Sequence, residues 1–231
     1  GYQNLEELSE RVDRFSYRVL KKECLDLPDK VYLRREVELT PEQKKVYGEL
    51  KEYAIAELGE MEQVSVNNVL TQMLRLHQVV CGYTKTDEGT EIPIENNRID
   101  ELINVIGEMR GKIIIWANYR HNIKEIVETM QELGGPDCVA SYYGDTSDEE
   151  RESVIERFQD PDSELRYFVG NTQTGGYGIT LTQAQNVIYY SNNFDLEKRL
   201  QSEDRAHRIG QDSKVTYVDL VAPKTVDENI V

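Results

Sequence analysis

Apolar positions along the chain fall into two regimes. Up to about residue 97 most recur at helical spacing. Leu5, Leu8, Val12, Phe15 and Val19 mark one face of a helix over residues 5–25, and Leu27-Pro28-Asp29 breaks it. Residues 31–39 alternate apolar and polar side chains, the period of a strand. Thr40-Pro41-Glu42-Gln43 then opens a helix running to about Leu58: Thr caps it, Pro suits the first turn, and Gln takes the third position. Another helix spans roughly Val66 to Val80. Residues 83–97, with Gly89 and Pro93, are polar and turn-rich and read as a loop or hinge.

After about residue 98 the texture changes. Lys112-Ile113-Ile114-Ile115-Trp116 is a continuous apolar run, as for a strand buried on both faces. Further strands are predicted at 138–142, 166–169, 186–190 and 214–221, with helices at 120–133, 147–159 and 195–208 between them. Such β-α-β alternation means a parallel sheet covered by helices. The expected fold is therefore α/β: a mainly helical N-terminal part with its linker over residues 1–97, then the sheet-bearing unit over residues 98–231.

Charge complicates this picture. The chain carries 43 Asp and Glu against 27 Lys and Arg, a formal net charge of −16. A nucleic-acid binder usually shows a basic footprint. Either such contacts are local and salt-sensitive, or the partner is not nucleic acid. The acidic runs at 6–7, 57–62 and 148–150 read as solvated helix faces. Cys24, Cys81 and Cys138 are widely spaced, which disfavours a disulfide framework or a zinc site, so a reducing, intracellular compartment is expected. His77, His121 and His207 show no metal spacing, and no metal ligand is assigned. No apolar run approaches the roughly 20 residues of a membrane span, so no membrane partner is expected. Gly1 in place of Met is expected of an excised piece, and the opening residues do not read as a signal peptide.

Candidate chemistry concentrates in Gln201-Ser202-Glu203-Asp204-Arg205-Ala206-His207-Arg208-Ile209-Gly210-Gln211. On a helix ending at Gly210, Gln201, Arg205 and Arg208 share one face at i, i+4 and i+7. Two guanidinium groups suit a polyphosphate and can offset charge on a transferring phosphoryl group. For a bare R-x-x-R a solvated helix with a Gly stop is the better reading. A second candidate follows the strand at 166–169: Gly170-Asn171-Thr172-Gln173-Thr174-Gly175-Gly176-Tyr177-Gly178-Ile179-Thr180-Leu181. Its glycines let backbone N–H groups approach an anion, although a tight turn needs them too. In the loop Tyr143-Gly144-Asp145-Thr146-Ser147 the exposed N–H groups of a helix start attract phosphate, while simple capping explains Ser147 in full. Arg120, after the 112–116 strand, suits a phosphate or a surface acid.

The 201–211 string closely resembles the last motif of Swi/Snf-type helicase-like ATPases of superfamily two, Q-A-x-D-R-x-H-R-I-G-Q, with Ser202 in place of Ala. The loop at 175–181 resembles the family's G-G-x-G-L-N-L, with Ile179 for Leu and Thr180 for Asn. Gly144–Arg151 matches its G-x-T-S-x-x-E-R, and Leu70–Leu76 its L-x-x-L-R-x-I/L helix. Leu27-Pro28-Asp29-Lys30 and Leu39–Gln43 match its L-P-x-K and L-T-x-x-Q landmarks. Phe194-Asp195-Leu196 departs from its W-N-P. The chain has no G-x-x-x-x-G-K-[ST] and no D-E-x-H, which hold nucleotide and magnesium.

The resemblance therefore implies a second, C-terminal RecA-like lobe preceded by a helical insert. ATP would bind between this lobe and an N-terminal RecA-like lobe of the same parent chain, which would hold most of the magnesium. It further implies Arg205 and Arg208 as arginine fingers, and Gln201, Gly176 and Gly178 at the nucleotide. Arg120, Gly144, Thr146, Ser147, Thr172, Thr174 and Gly175 would lie on double-stranded DNA. The fragment alone should be inactive and is expected to be monomeric. Two rivals remain at this stage: a non-catalytic RecA-like interaction module, favoured by the acidic charge, and a lobe of an RNA helicase.

Overall fold

A computed structural model describes residues 4–16, 25–60, 66–86, 88–175 and 178–230. Along the chain, α1 (Leu5–Asp13) precedes β1 (Lys30–Glu36), the helices α2 (Pro41–Glu60) and α3 (Val66–Val80), and a hairpin of β2 (Tyr83–Lys85) and β3 (Glu91–Pro93). There follow α4 (Arg98–Glu108), β4 (Lys112–Trp116), α5 (Arg120–Gly134), β5 (Val139–Tyr142), α6 (Asp148–Gln159) and β6 (Tyr167–Gly170). Next come α7 (Thr172–Gly175), β7 (Ala184–Tyr189), α8 (Leu196–Ala206) and β8 (Val215–Val221), followed by a 3-10 turn over Val226–Asn229.

β-branched and aromatic runs become strands, and the central ones, β4 and β6 above all, are buried on both faces, whereas the edge strand β1 has no buried residue. Six of them form one parallel sheet in the order β1-β8-β7-β4-β6-β5. Side chains alternate across it. Ile113 and Ile115 join Leu102, Ile123, Ile126, Val169, Ile188 and Val218 on the α4 and α5 side. Ile114 and Trp116 join Phe158, Phe168, Val187, Tyr189, Ala206 and Tyr217 on the side covered by α6 and α8. This RecA-like architecture is the α/β sheet the alternation predicts. β1, which lies before residue 98, is nevertheless an edge strand of that sheet, in parallel register with β8.

The helical part is built as its sequence signals indicate. Thr40 Oγ1 accepts from Gln43 N–H at 3.1 Å, and Gln43 Oε1 accepts from Thr40 N–H at 3.1 Å, a reciprocal cap on α2. The Gln43 amide also donates to Val79 O at 2.9 Å, tying α2 to the end of α3. Leu39, Tyr47, Leu76, Val79, Ala222 and Val226 close a third core between these helices and the C-terminal segment.

Four expectations need correction. The helix expected over 5–25 ends at Asp13, and Leu5, Leu8, Val12 and Phe15 are exposed, so the described part buries no apolar stripe; residues 17–24 lie outside the described residues. The 83–97 loop holds the β2–β3 hairpin, because Gly82 and Gly89, both at positive φ, turn the chain back on itself. α4 was not foreseen, although its Leu102, Val105 and Ile106 are buried at helical spacing. Finally, α8 ends at Ala206 instead of running on to residue 208.

The helical part and the sheet meet at a buried charge. Arg98 is 1% exposed and pairs with Asp227, at 0%. It also donates to Leu220 O at 3.1 Å and to Tyr190 O. Ala222 N–H donates to Asp227 Oδ2 at 2.9 Å. His77 Nε2 lies 3.4 Å from Asp227 Oδ1, and His77 Nδ1 lies 2.8 Å from Tyr119 OH. Burial works to raise the Asp227 pKa, but Arg98 and His77 outweigh it and hold the carboxyl far below its ordinary 3.8. For His77 burial works downward, but Cys81 and Asp227 outweigh it and raise the ring from 6.5 to about 9.

Two outcomes follow from this cluster. Asp227→Asn leaves Arg98 as an uncompensated buried charge and is expected to cost about 3–5 kcal/mol in denaturant unfolding; a loss under 1 kcal/mol would contradict the pairing. Folded Asp227 titrates below its unfolded value, so its contribution is present above the ordinary value and lost as pH falls through the folded one. Folded His77 titrates above its unfolded value, so its contribution is whole below pH 6.5 and lost as pH rises through about 9. The unfolding midpoint should therefore decline over that alkaline window in the wild type and lose that decline in His77→Gln.

Candidate functional site

The loops after β4, β5, β6 and β7 emerge at the carboxyl ends of neighbouring strands, where ligands bind in open α/β sheets. After β7, Asp195 caps α8 by accepting from Glu197 N–H at 3.0 Å and Lys198 N–H at 3.2 Å. The Gly-rich loop leaves β6 at Gly170, where any Cβ would lie 2.8 Å from Tyr142 O and 3.0 Å from the Trp116 ring. Only glycine fits where the two strand ends crowd so closely.

The arginine segment and this loop are knitted into one unit. Arg205 Nη1 donates to Ile179 O at 3.3 Å, and its Nε to Gln201 O at 3.0 Å. Leu181 N–H donates to Arg205 O at 2.9 Å. Arg208 Nη1 donates to Thr180 Oγ1 at 3.3 Å, so the Thr that departs from the resembled pattern serves as an arginine anchor. Gln211 Nε2 is shared among Thr182 O, Ala184 O and Ala206 O at 2.9–3.2 Å. Because α8 stops at Ala206, Arg208 reaches the loop from the turn after the helix, not from the helix face expected for it. Burial lowers the Arg205 pKa, and the nearby Arg208 charge lowers it further. Neighbouring cations favour an anion close by.

Gln201 lies on the same side of α8 as Arg205. Its Nε2 donates to Glu197 Oε1 at 2.8 Å, while its buried Oε1 accepts no hydrogen bond among the described residues. Gly178 is exposed, at φ +73°, with open space where a Cβ would stand. Gly176 lies outside the described residues.

A second group forms around the starts of α5 and α6. Arg120 Nη1 pairs with Asp145 Oδ1 at 3.1 Å on the surface, and its Nη2 lies 3.4 Å from the place of a Gly144 Cβ. Thr146 Oγ1 accepts from Tyr143 N–H at 3.1 Å, and Ser147 shares a capping box with Glu150. The fold thus brings Arg120, Gly144, Thr146 and Ser147 together, with the side chains of Thr146 and Ser147 already engaged. A groove of about 570 Å³ borders this loop, but Asp145, Glu149 and Glu150 on its wall repel phosphate. Thr172 is buried at the start of α7, and Thr174 and Gly175 follow on the same short helix.

Sequence reasoning missed the polar ties between these loops. Asn171 Nδ2 donates to Asn118 O at 3.1 Å, Asn118 N–H to Ser191 Oγ at 2.8 Å, and Asn193 Nδ2 to Asn118 Oδ1 at 3.4 Å. Their only signal is position: each polar residue stands just past the end of an apolar strand run.

With this geometry in place, comparison with known proteins is informative. The family described as helicase conserved C-terminal domain matches residues 96–210. An uncharacterized ATP-dependent helicase of Mycoplasma pneumoniae is 29% identical over 96% of this chain and 22% of its own length. The human SWI/SNF-related matrix-associated actin-dependent regulator of chromatin subfamily A member 1 is 30% identical over 75% of this chain and 17% of its own length. Among solved structures, the Sulfolobus solfataricus SWI2/SNF2 ATPase core in complex with dsDNA aligns with TM-score 0.68 and 26% identity, over 97% of this chain and 48% of that one. The chain therefore spans about a fifth of the length of these curated relatives.

One departure inside the arginine motif has a structural partner. Ser202 is fully buried; its Oγ donates to Arg199 O at 2.7 Å and lies 2.6 Å from the hydroxyl of buried Tyr189. Ser202→Ala leaves that phenol without its partner and should cost about 1–3 kcal/mol. Adding Tyr189→Phe should restore most of the loss in a double-mutant cycle; strictly additive losses would dismiss the pairing.

Proposed function

The chain belongs to the Swi/Snf-type members of the helicase C-terminal domain family, and on that premise we propose that it is the C-terminal motor lobe of an ATP-dependent double-stranded DNA translocase. The observation that carries this reading is the anchored arginine pair: Arg205 on Ile179 O and Arg208 on Thr180 Oγ1, two cations held side by side on one loop. ATP fits this surface. The buried Gln201 Oε1 can accept a donor from the nucleotide.

In this proposal Arg205 and Arg208 reach across a cleft towards triphosphate held by an N-terminal RecA-like lobe of the same parent chain. There they offset charge that develops on the phosphoryl oxygens. Magnesium would be held mainly by that first lobe; among the described residues of this chain no His, Cys, Asp and Glu cluster is arranged for a metal ion. Gly176 and Gly178 would lie at the nucleotide, Gly178 at φ +73°, a backbone conformation that favours glycine.

The DNA backbone would lie along Arg120, Gly144, Thr146 and Ser147 and along Thr172, Thr174 and Gly175. Backbone amides there supply contacts that the acidic surface does not. Because Arg120 already holds Asp145, a phosphate must displace that carboxylate, which makes binding weak and salt-sensitive. Closing the two lobes on ATP and opening them after hydrolysis moves DNA by differential binding to the two states.

Turnover by the parent chain provides the test. Duplex DNA should stimulate ATP hydrolysis, and Arg208→Ala should lower it by about a thousandfold or more with folding unchanged. Turnover unaffected by this substitution would remove the finger role from Arg208. A wild type without turnover would point instead to an interaction module.

A further inference from the structure

The Leu27-Pro28-Asp29-Lys30 stretch has no part in the site described so far, yet the structure lays its end and the start of β1 along the back of α8. Lys30 Nζ lies 2.9 Å from Glu203 Oε2 and 3.7 Å from Asp204 Oδ1. Tyr32 OH donates to the same Glu203 oxygen at 2.8 Å. Arg199 Nε donates to Glu203 Oε1 at 2.9 Å. His207 Nε2 stands 2.6 Å from Pro28 O. The Glu203 side chain is only 4% exposed. Its burial works to raise the carboxyl pKa, but the bonds from Lys30, Arg199 and Tyr32 outweigh this and lower it, so the group is an anion at neutral pH.

Arg199 extends the clamp into the sheet. It grips Asp219 on β8, with Nη2 to Oδ2 at 3.0 Å, and its guanidinium carbon lies 3.5 Å from the Tyr189 ring centre. Tyr217 OH donates to Glu203 O at 2.9 Å. The clamp therefore joins α8 to three strands, β1, β7 and β8.

Helix geometry gives this clamp a consequence. Residues two apart on a helix point about 200° apart, and residues four apart share a face. Glu203 and His207 thus mark the back of the segment, while Gln201 and Arg205 point the opposite way. We propose that Glu203 is a positioning residue for the arginine pair: held between Lys30, Tyr32 and Arg199, it fixes the rotation of α8 about its axis and so the place where Arg205 and Arg208 present their charge. This rests on the proposed function in ATP turnover, but the clamp itself can be read independently of turnover.

In the parent chain, Glu203→Gln and Lys30→Met should each lower kcat by roughly 10- to 100-fold, the scale of a misplacement of about 1 Å, with KM for ATP changed less than about twofold. Lys30→Arg keeps a cation beside Glu203 and should retain most of kcat. Hydrogen exchange measured on the same proteins should quicken in peptides over residues 196–211 in the two disabling variants and stay unchanged over residues 112–116. Exchange at 196–211 equal to wild type overturns the proposal, whatever the turnover. So does faster exchange there with kcat unaltered, because the contact would then be structural only. If the wild type shows no DNA-stimulated turnover, the functional reading fails, and the exchange pattern still decides whether the clamp sets α8.

Discussion

A guanidinium almost out of reach of water organises this molecule. Arg98 can stay charged inside the protein only if its partners stand in fixed places, because desolvating an ion costs several kcal/mol. Those partners come from distant parts of the chain: Asp227 from the C-terminal turn, Leu220 O from β8 and Tyr190 O from the end of β7. His77 brings α3 to the same carboxylate. One buried pair thus locks the helical part, the carboxyl ends of two strands and the last turn into a single frame. The loop that leads into α8 leaves the sheet from one of those strand ends, that of β7.

Within that frame the arginine motif is not a bare helix face. α8 stops at Ala206, the chain turns through Gly210, and Arg208 comes back over the Gly-rich loop to Thr180. Gln211, deeply buried, sews the turn to Thr182, Ala184 and Ala206. The last glutamine of the motif therefore holds the loop and the arginines in register and does not face a ligand. The motif is a folded unit in which some residues carry charge outward and others, Glu203, His207 and Gln211 among them, keep the backbone still.

The acidity of the chain is reconciled with this site by separation. Part of the net charge of −16 lies at exposed helix starts such as 148–150, which border the Arg120 loop. The cations that matter are few and held individually: Arg199 and Lys30 inside the clamp, Arg205 and Arg208 on the loop. Net charge describes long-range attraction and solubility. It does not describe a short-range site whose donors are arranged a few ångströms from where an anion would rest.

The sequence by itself determined the layered α/β fold, since runs such as 112–116 are apolar on both faces and only a covered parallel sheet buries both. It also determined that the Gly-rich loop follows β6 and that Arg205 lies on α8, because spacing and residue type are written locally; the place of Arg208, on the turn after the helix, it did not. Three further things were decided only in three dimensions. β1 enters the sheet beside β8, across 180-odd residues of chain, because its pairing partner is chosen by packing and not by its own alternation. Arg120 meets Asp145, and Asn118 ties three loops, because neighbouring strands in the sheet are not neighbours in sequence. Lys30 finds Glu203 for the same reason: hydrophobic period tells which face of a strand or helix turns inward, whereas the identity of a charged partner depends on which distant element that face then meets.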